Sequence, residues 1–246
     1  MVDGESAGGG RSAAIPSLPA PPLILDPSSS RAVAKAVAAL RDGLVAVIPT
    51  DTVYGVAAAL DRPPALDRLF ALKGRPASKP LPVLVSSPAH LGGLLADGDW
   101  QIVEFAAKFW PGALTLVAPA RRGLPVQVVG HDAWGRRTVG VRLPALPLAV
   151  EIIDRCGGAL AVTSANRSGE NPACTGAEAT AAIGPAVDVI LDAGPCTGGV
   201  ASTVVSINGT ELDIVREGEI SGDVLRAAWT KFRSRAVRSL RSDGVR

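Results

Sequence analysis

The sequence has few of the residues on which metal and triad chemistry is built. Its three cysteines, Cys156, Cys174 and Cys196, stand far apart with no CxxC pair, and only His90 and His131 are present to join them. That spacing disfavours a zinc site and reads as reduced thiols, so no protein-bound metal is expected. With two histidines and no GxSxG elbow, a serine or cysteine hydrolase triad is disfavoured as well. Neither GxxxxGK[ST] nor GxGxxG after a strand occurs, so a nucleotide, if bound, is held by other means. Every apolar run is cut by Pro, Gly or charge short of the ~20 residues that a membrane-crossing helix needs. The balance of 25 basic against 23 acidic residues leaves a net charge of +2, too small a field for nonspecific nucleic-acid or membrane binding. Any anion site must be local.

What is present is a globular mixture, 47% hydrophobic and 20% charged over 246 residues, which suits one α/β domain with extensions. Residues 1–28 are dominated by Gly, Ser, Pro and Ala and read as a flexible tail. Asp3, Glu5 and the single Arg11 fit neither a signal peptide nor a transit peptide, so a bacterial cytoplasmic location is expected. A domain over 29–222 follows, and a basic helix over 223–246 ends the chain. SSSRAVAKAVAALRDG has helical spacing at Val33, Val37 and Leu40, with Gly43 to close it. LVAVIP, LPVLV, ALTLVA, TVGVRLP, GALAVTS and VDVILDAG read as strands, and helices are expected around Leu66–Phe70, over 100–110, over 146–155 and over 176–183. STVVSINGTELDIVRE holds two strand-like runs joined through Asn208-Gly209, a strong hairpin signal. The alternation predicts a twisted, mixed parallel and antiparallel α/β sheet with helices packed on it.

Polar clusters recur where apolar strands end, the usual place for ligands in open α/β sheets. PTDTVYG brings Thr50, Asp51, Thr52 and Tyr54 out of the strand 44–48, as a ligand contact or as a turn that satisfies its own backbone. LKGRPASKPLPVLV sets Lys73, Arg75 and Lys79 close together, with Gly74 free to bend, a pairing of mobile ammonium and planar guanidinium suited to polyphosphate. The same cations near a helix C-terminus also complement its dipole. Arg142 lies in an apolar strand and demands an anion, whether a ligand or a structural ion-pair partner. TSAN (163–166) opens a polar loop, and antiparallel pairing across Asn208-Gly209 sets Ser202 and Thr203 near Arg216. From 223 onward Leu225, Trp229, Phe232 and Ala236 trace an apolar stripe among Lys231, Arg233, Arg235, Arg238 and Arg241, a docked helix with a solvated basic face or a patch for RNA.

PTDTVYG, KGRPASKPLPVLV, WPGALTLV, VGVRLP, TSANRSGENP, ASTVV and IVREG, in this order, resemble the YrdC-like threonylcarbamoyl-AMP synthases over about residues 30–220. The resemblance implies an enzyme of the short, single-domain type. It would join L-threonine, bicarbonate and ATP into threonylcarbamoyl-AMP with release of pyrophosphate, for threonylcarbamoyladenosine formation beside the tRNA anticodon. A tRNA-modifying threonylcarbamoyl transferase would be its partner. It implies catalytic roles for Lys73 and Arg75; ATP contacts for Lys73, Arg75, Lys79, Thr138, Ser164, Asn166 and Arg216; and threonine contacts for Thr50, Arg142 and Ser202. ATP would enter as substrate with Mg²⁺. The sequence departs from the pattern where the usual RPG is REG, setting Glu217 beside the proposed anion site. An RNA-binding YrdC-like protein without synthase activity, using the basic C-terminal helix, is the alternative.

Overall fold

The computed structural model describes residues 21–74, 79–98 and 100–242, and the side chains of the final helix as far as 235. In chain order the elements are β1 (Leu23–Leu25), α1 (Ser30–Arg41), β2 (Ala46–Ile48), β3 (Gly55–Ala59), α2 (Pro63–Leu72), β4 (Val83–Val85), α3 (Trp100–Ala106), β5 (Leu114–Pro119), β6 (Gly130–His131), β7 (Arg137–Arg142), α4 (Pro147–Arg155), β8 (Ala159–Ser164), α5 (Gly176–Ile183), β9 (Val189–Leu191), β10 (Thr203–Asn208), β11 (Glu211–Arg216) and α6 (Gly222–Ser242). The strands form one sheet in the order β1-β9-β2-β3-β8-β4-β7-β5-β10-β11, with β6 paired beside β7. Parallel pairs (β1/β9, β2/β9, β4/β7, β5/β10) alternate with antiparallel ones (β2/β3, β3/β8, β4/β8, β5/β7, β10/β11), which is the mixed sheet that the alternating pattern predicts.

Two apolar layers sandwich this sheet, and side-chain alternation along the strands assigns residues to them. Val45, Val47, Val56, Ala58, Val83, Leu114, Leu116, Val141 and Val205 face one layer, filled by Leu66 and Leu69 of α2, Phe105 of α3 and Leu225, Trp229 and Phe232 of α6. Ala46, Ile48, Ala57, Ala59, Leu84, Leu160, Val162, Val189 and Leu191 face the other, filled by Val33, Val37 and Leu40 of α1 and Ile152 and Ile153 of α4. α1 buries Val33, Ala36, Val37 and Leu40 at helical spacing and stops at Gly43, whose positive φ of 85° suits a residue without Cβ. Around Phe105 the aromatic rings of Phe109, Trp229 and Phe232 lie at centroid distances of 5.1–5.8 Å. The stripe expected on the terminal helix therefore docks α6 onto the core.

The second layer covers only half of its face. Its residues continue in register from Leu160 to Leu84 and on to Arg142, then along Gly140, Val117 and Ser206. No helix among the described residues covers β7, β5 and β10 on that side, and a cavity opens there. This bare half positions the site.

The structure differs from the sequence expectation in three places. β1 lies inside the stretch 1–28 expected to be a flexible tail: three apolar residues extend the sheet edge beside β9, a signal too short to outweigh the Pro- and Gly-rich composition around it. Residues 1–20 lie outside the described residues. β3 has no counterpart in the pattern because GVAAA has weak β propensity, yet it is wholly buried between β2 and β8. In the hairpin, Asn208 pairs with Glu211, so the turn is Gly209-Thr210, with Gly209 at φ 58°.

Candidate active site

The cavity over the bare half measures about 1030 Å³. Its floor is strand backbone with small or hydroxylic side chains: Thr115, Thr138, Gly140, Ser202 and Ser206. Lys79 and Arg216 stand on its walls. Of the expected nucleotide residues, the structure thus brings Lys79, Thr138 and Arg216 to one concavity together with Ser202. Ser202 is 7% exposed, and its hydroxyl pairs with that of Thr115 at 2.9 Å. Arg216 donates to the Ser202 carbonyl at 2.6 Å and lies near its hydroxyl at 3.4 Å. This is the proximity that hairpin pairing implies. Desolvation, then repulsion from Arg142, lowers the pKa of Arg216 below the usual guanidinium value. Arg142 is thus near enough to Arg216 to repel it, but it does not itself line the cavity.

Arg142 is 5% exposed at the border between the covered and bare halves. It donates to Asp51 Oδ1 at 2.7 Å, to Thr52 Oγ1 at 2.8 Å and to the Gly112 carbonyl at 3.0 Å. The anion its burial demands is supplied within the protein by Asp51, the structural partner left open by the sequence. Thr50 is buried in the same turn; its hydroxyl donates to the Val53 carbonyl at 2.6 Å and accepts from Thr52 N and Val53 N. PTDT is thus a self-satisfied turn that also positions the arginine. Tyr54 points away from the cavity: its hydroxyl donates to the Gly194 carbonyl at 2.6 Å and accepts from Ala193 N at 3.0 Å, and burial pushes its pKa up to about 12.

Lys73, Ser164 and Asn166 form a third group, apart from the cavity walls. Lys73 is 4% exposed at the C-terminus of α2. Its ammonium donates to the carbonyls of Ser164 (2.9 Å) and Asn166 (2.5 Å) and to Asn166 Oδ1 (2.7 Å), with Ser164 Oγ at 3.4 Å. An ammonium carries three protons, so these contacts occupy the direct hydrogen-bonding capacity of Lys73. The Asn166 amide in turn donates to the Glu170 carbonyl at 2.6 Å, fixing the loop after β8. Arg75 lies outside the described residues.

Glu217 does not turn toward the cations. Its carboxylate accepts from Gly222 N at 2.8 Å, at the start of α6, where a negative charge complements the helix dipole. The site residue not singled out in the sequence is Thr115; Asp51 and Thr52, expected as a ligand contact or a turn, serve as the turn that positions Arg142. A threonine within the apolar run ALTLVA was the available signal for Thr115, and it is 4% exposed.

Comparison with known proteins agrees with this architecture. The Sua5/YciO/YrdC family model, described as telomere recombination, matches residues 38–218. A Mycobacterium tuberculosis protein is 38% identical over 192 residues, which span 78% of this chain and 86% of that protein. The threonylcarbamoyl-AMP synthase of Bacillus subtilis is 35% identical over 196 residues, 79% of this chain but 56% of its own length. The crystal structure of P. abyssi Sua5 complexed with L-threonine superposes with a TM-score of 0.72 at 30% identity, over 80% of this chain and 57% of that one. The chain thus spans little more than half of these two longer relatives. With more than half of its length matched by the family model and its mixed sheet shared with Sua5, the chain belongs to the Sua5/YciO/YrdC family.

Proposed function

We infer that the protein is a threonylcarbamoyl-AMP synthase, joining L-threonine, bicarbonate and ATP into threonylcarbamoyl-AMP and pyrophosphate. The observation that carries this reading is the gathering of Lys79, Thr138, Ser202 and Arg216 on one cavity, two cations and two hydroxyls suited to an anionic nucleotide. Such a site suits a reaction that needs positioning and charge neutralisation more than proton abstraction. In that reaction the threonine amine takes up the carbon of bicarbonate with loss of water. An oxygen of the resulting carbamate then attacks the α-phosphorus of ATP, and the bond to the β-phosphate breaks to release pyrophosphate.

The residue roles are assigned from position together with the motifs. Arg142, steadied by Asp51 and Thr52, and Ser202, steadied by Thr115, hold the threonine end. Thr138, Lys79 and Arg216 line the nucleotide end. Lys73 holds the Ser164–Asn166 turn, and this group, outside the cavity lining, keeps the ATP role that its motifs imply. Arg75 retains the phosphate role its motif implies, and Thr50 keeps its threonine role through the turn it organises. Mg²⁺ enters with ATP as part of the substrate; among the described residues no cluster of three or more His, Cys, Asp or Glu is placed to hold a metal.

The product feeds a tRNA-modifying threonylcarbamoyl transferase in the cytoplasm under this reading. Its test is mass-spectrometric detection of threonylcarbamoyl-AMP after incubation with ATP, Mg²⁺, bicarbonate and threonine, each omitted in turn. An adenylate seen only in the full mixture supports the reading. RNA binding with no adenylate under any condition would falsify it.

A further inference from the structure

Two cysteines that stand 22 residues apart in sequence meet beside the threonine end of the site. Cys196 N donates to the Cys174 carbonyl at 2.7 Å. This bond sets the two residues side by side, the arrangement in which a disulfide, with Cα atoms about 4.4 to 6.8 Å apart, can close. Both residues are half-buried, within reach of a small molecule, and the Cys174 thiol lies 3.8 Å from the Gly199 carbonyl at the end of the Cys196 loop. Cys156, the third cysteine, is on the opposite side of the sheet against α1, where its thiol lies 4.0 Å from the Val37 carbonyl.

The two partners differ in mobility. Cys174 is fixed at the start of α5: its N–H donates to Glu178 Oε2 at 2.7 Å, while Thr175 Oγ1 caps the helix by accepting from Glu178 N. Cys196 lies in the loop from β9 to β10 between Gly194 and Gly199, which have positive φ of 77° and 73°, conformations that glycine adopts without strain. That loop reaches over the turn that positions Arg142. Gly199 N donates to the Thr52 carbonyl at 2.7 Å and Thr197 Oγ1 to the Asp51 carbonyl at 3.2 Å, and the loop then runs into Ser202. Glycines on both sides let it lift from Asp51 and Thr52; a covalent tie at Cys196 would prevent that.

We propose that Cys174 and Cys196 form a reversible disulfide that pins the β9–β10 loop over the Asp51–Thr52 turn and slows turnover. The oxidant is a small-molecule disulfide, RSSR. The Cys196 thiolate attacks one of its sulfurs, forming a mixed disulfide and expelling RS⁻. Cys174 then loses its proton and attacks the Cys196 sulfur, closing the protein disulfide and expelling the second RS⁻, so that two protein thiols become one disulfide and RSSR becomes two RSH. Burial, then Cys196 and Glu178, pushes the Cys174 pKa up to about 11, which suits its place as the second nucleophile rather than the first.

Formation of the bond is independent of the proposed activity; its effect on turnover rests on that reading. The experiment treats the full chain with oxidised glutathione, maps disulfides by peptide mass spectrometry after alkylation, and assays adenylate formation before and after dithiothreitol. The expected result is a Cys174–Cys196 crosslink with Cys156 still alkylated, and turnover reduced by about tenfold as a gating loop is held shut, restored by the reductant. Cys196→Ser should match the reduced wild type and ignore the oxidant. Failure of the crosslink to form, or a mapped crosslink with unchanged turnover, overturns the proposal. A preparation that crosslinks but makes no adenylate even when reduced counts against the enzymatic reading instead.

Discussion

One face of the sheet is built in two ways. Over β9, β2, β3, β8 and β4 its residues are Val189, Ala46, Ala57, Val162, Leu160 and Leu84, buried under α1 and α4. In the same register, on the same side, β7, β5 and β10 present Thr138, Gly140, Thr115, Ser202 and Ser206 to a cavity. The covered half is a packing problem, met by apolar volume and helices. The bare half keeps its backbone accessible, gives up side-chain bulk, and gathers its charge at the border. Arg142 is the hinge between the two, paired in register with Leu84 of the covered half and on the same side of β7 as Gly140 and Thr138 of the cavity floor.

Removing that hinge should have the largest effect. Arg142→Met leaves the Asp51 carboxylate without its guanidinium in a largely enclosed position, which costs about 3–5 kcal/mol of stability when a buried pair is broken. If Arg142 also serves the substrate, adenylate formation should fall by about 10²–10³-fold. Chemical denaturation and turnover of the folded fraction separate the two effects. A destabilised variant with full turnover would make Arg142 purely structural.

The covered half should behave in the opposite way. Ile152 of α4 is fully buried against the sheet, so Ile152→Ala should lower stability by about 2–5 kcal/mol. Because no residue of the helix lines the cavity, kcat and KM of the folded protein should be unchanged at a temperature well below its transition. A large KM change in Ile152→Ala would show that the two halves are mechanically coupled.

The reverse exchange gives the bare half a covered-half residue. A Cβ on Gly140 would stand 3.5 Å from the Thr115 methyl and 3.8 Å from Pro82, ordinary contacts, so the backbone can accept a side chain there. Gly140→Leu should therefore fold with stability within about 1 kcal/mol of wild type. It should raise the KM for ATP by about tenfold by filling the floor of the cavity. Calorimetry and initial-rate kinetics test both halves of that statement.

The contrast also explains what the sequence could and could not reveal. β2, β8 and β9 are legible because burial on both faces demands unbroken apolar runs. β3 was not, since GVAAA owes its strand to the neighbours on either side. The motif residues Thr138, Ser202 and Arg216 could be placed at strand ends, and their convergence follows from the pairing of β10 with β5 and β11. Arg142's need for an anion was readable, but not that Asp51 supplies it, because a turn residue's direction depends on the tertiary arrangement. Lys73 was readable as a cation near a ligand loop; that its protons are taken up by Ser164 and Asn166 depends on how α2 meets β8.

The smallest effect is expected at the rim of the bare half, where Asp132 holds the turn between β6 and β7. It accepts from Trp134 N and Arg136 N at 2.9 Å and from Arg136 Nε at 2.6 Å, and Arg136 reaches on to Asn208 at 3.2 Å. Desolvation alone would raise the Asp132 pKa, but the hydrogen bonds from Arg136 and Trp134 and the Arg136 charge outweigh it and hold it below 3.8. A carboxylate depressed in the folded state contributes its full stabilisation above its ordinary value and loses it as pH falls through the folded one. Amide hydrogen exchange at 132–136 should therefore stay slow from neutral pH down to about 4 and quicken below it, after correction for the intrinsic rate. In Asp132→Asn the turn should exchange faster already at neutral pH, while turnover changes by less than about twofold, as befits an exposed ion pair. A larger loss of turnover would show that the rim, like Arg142, holds substrate rather than merely bounding the cavity.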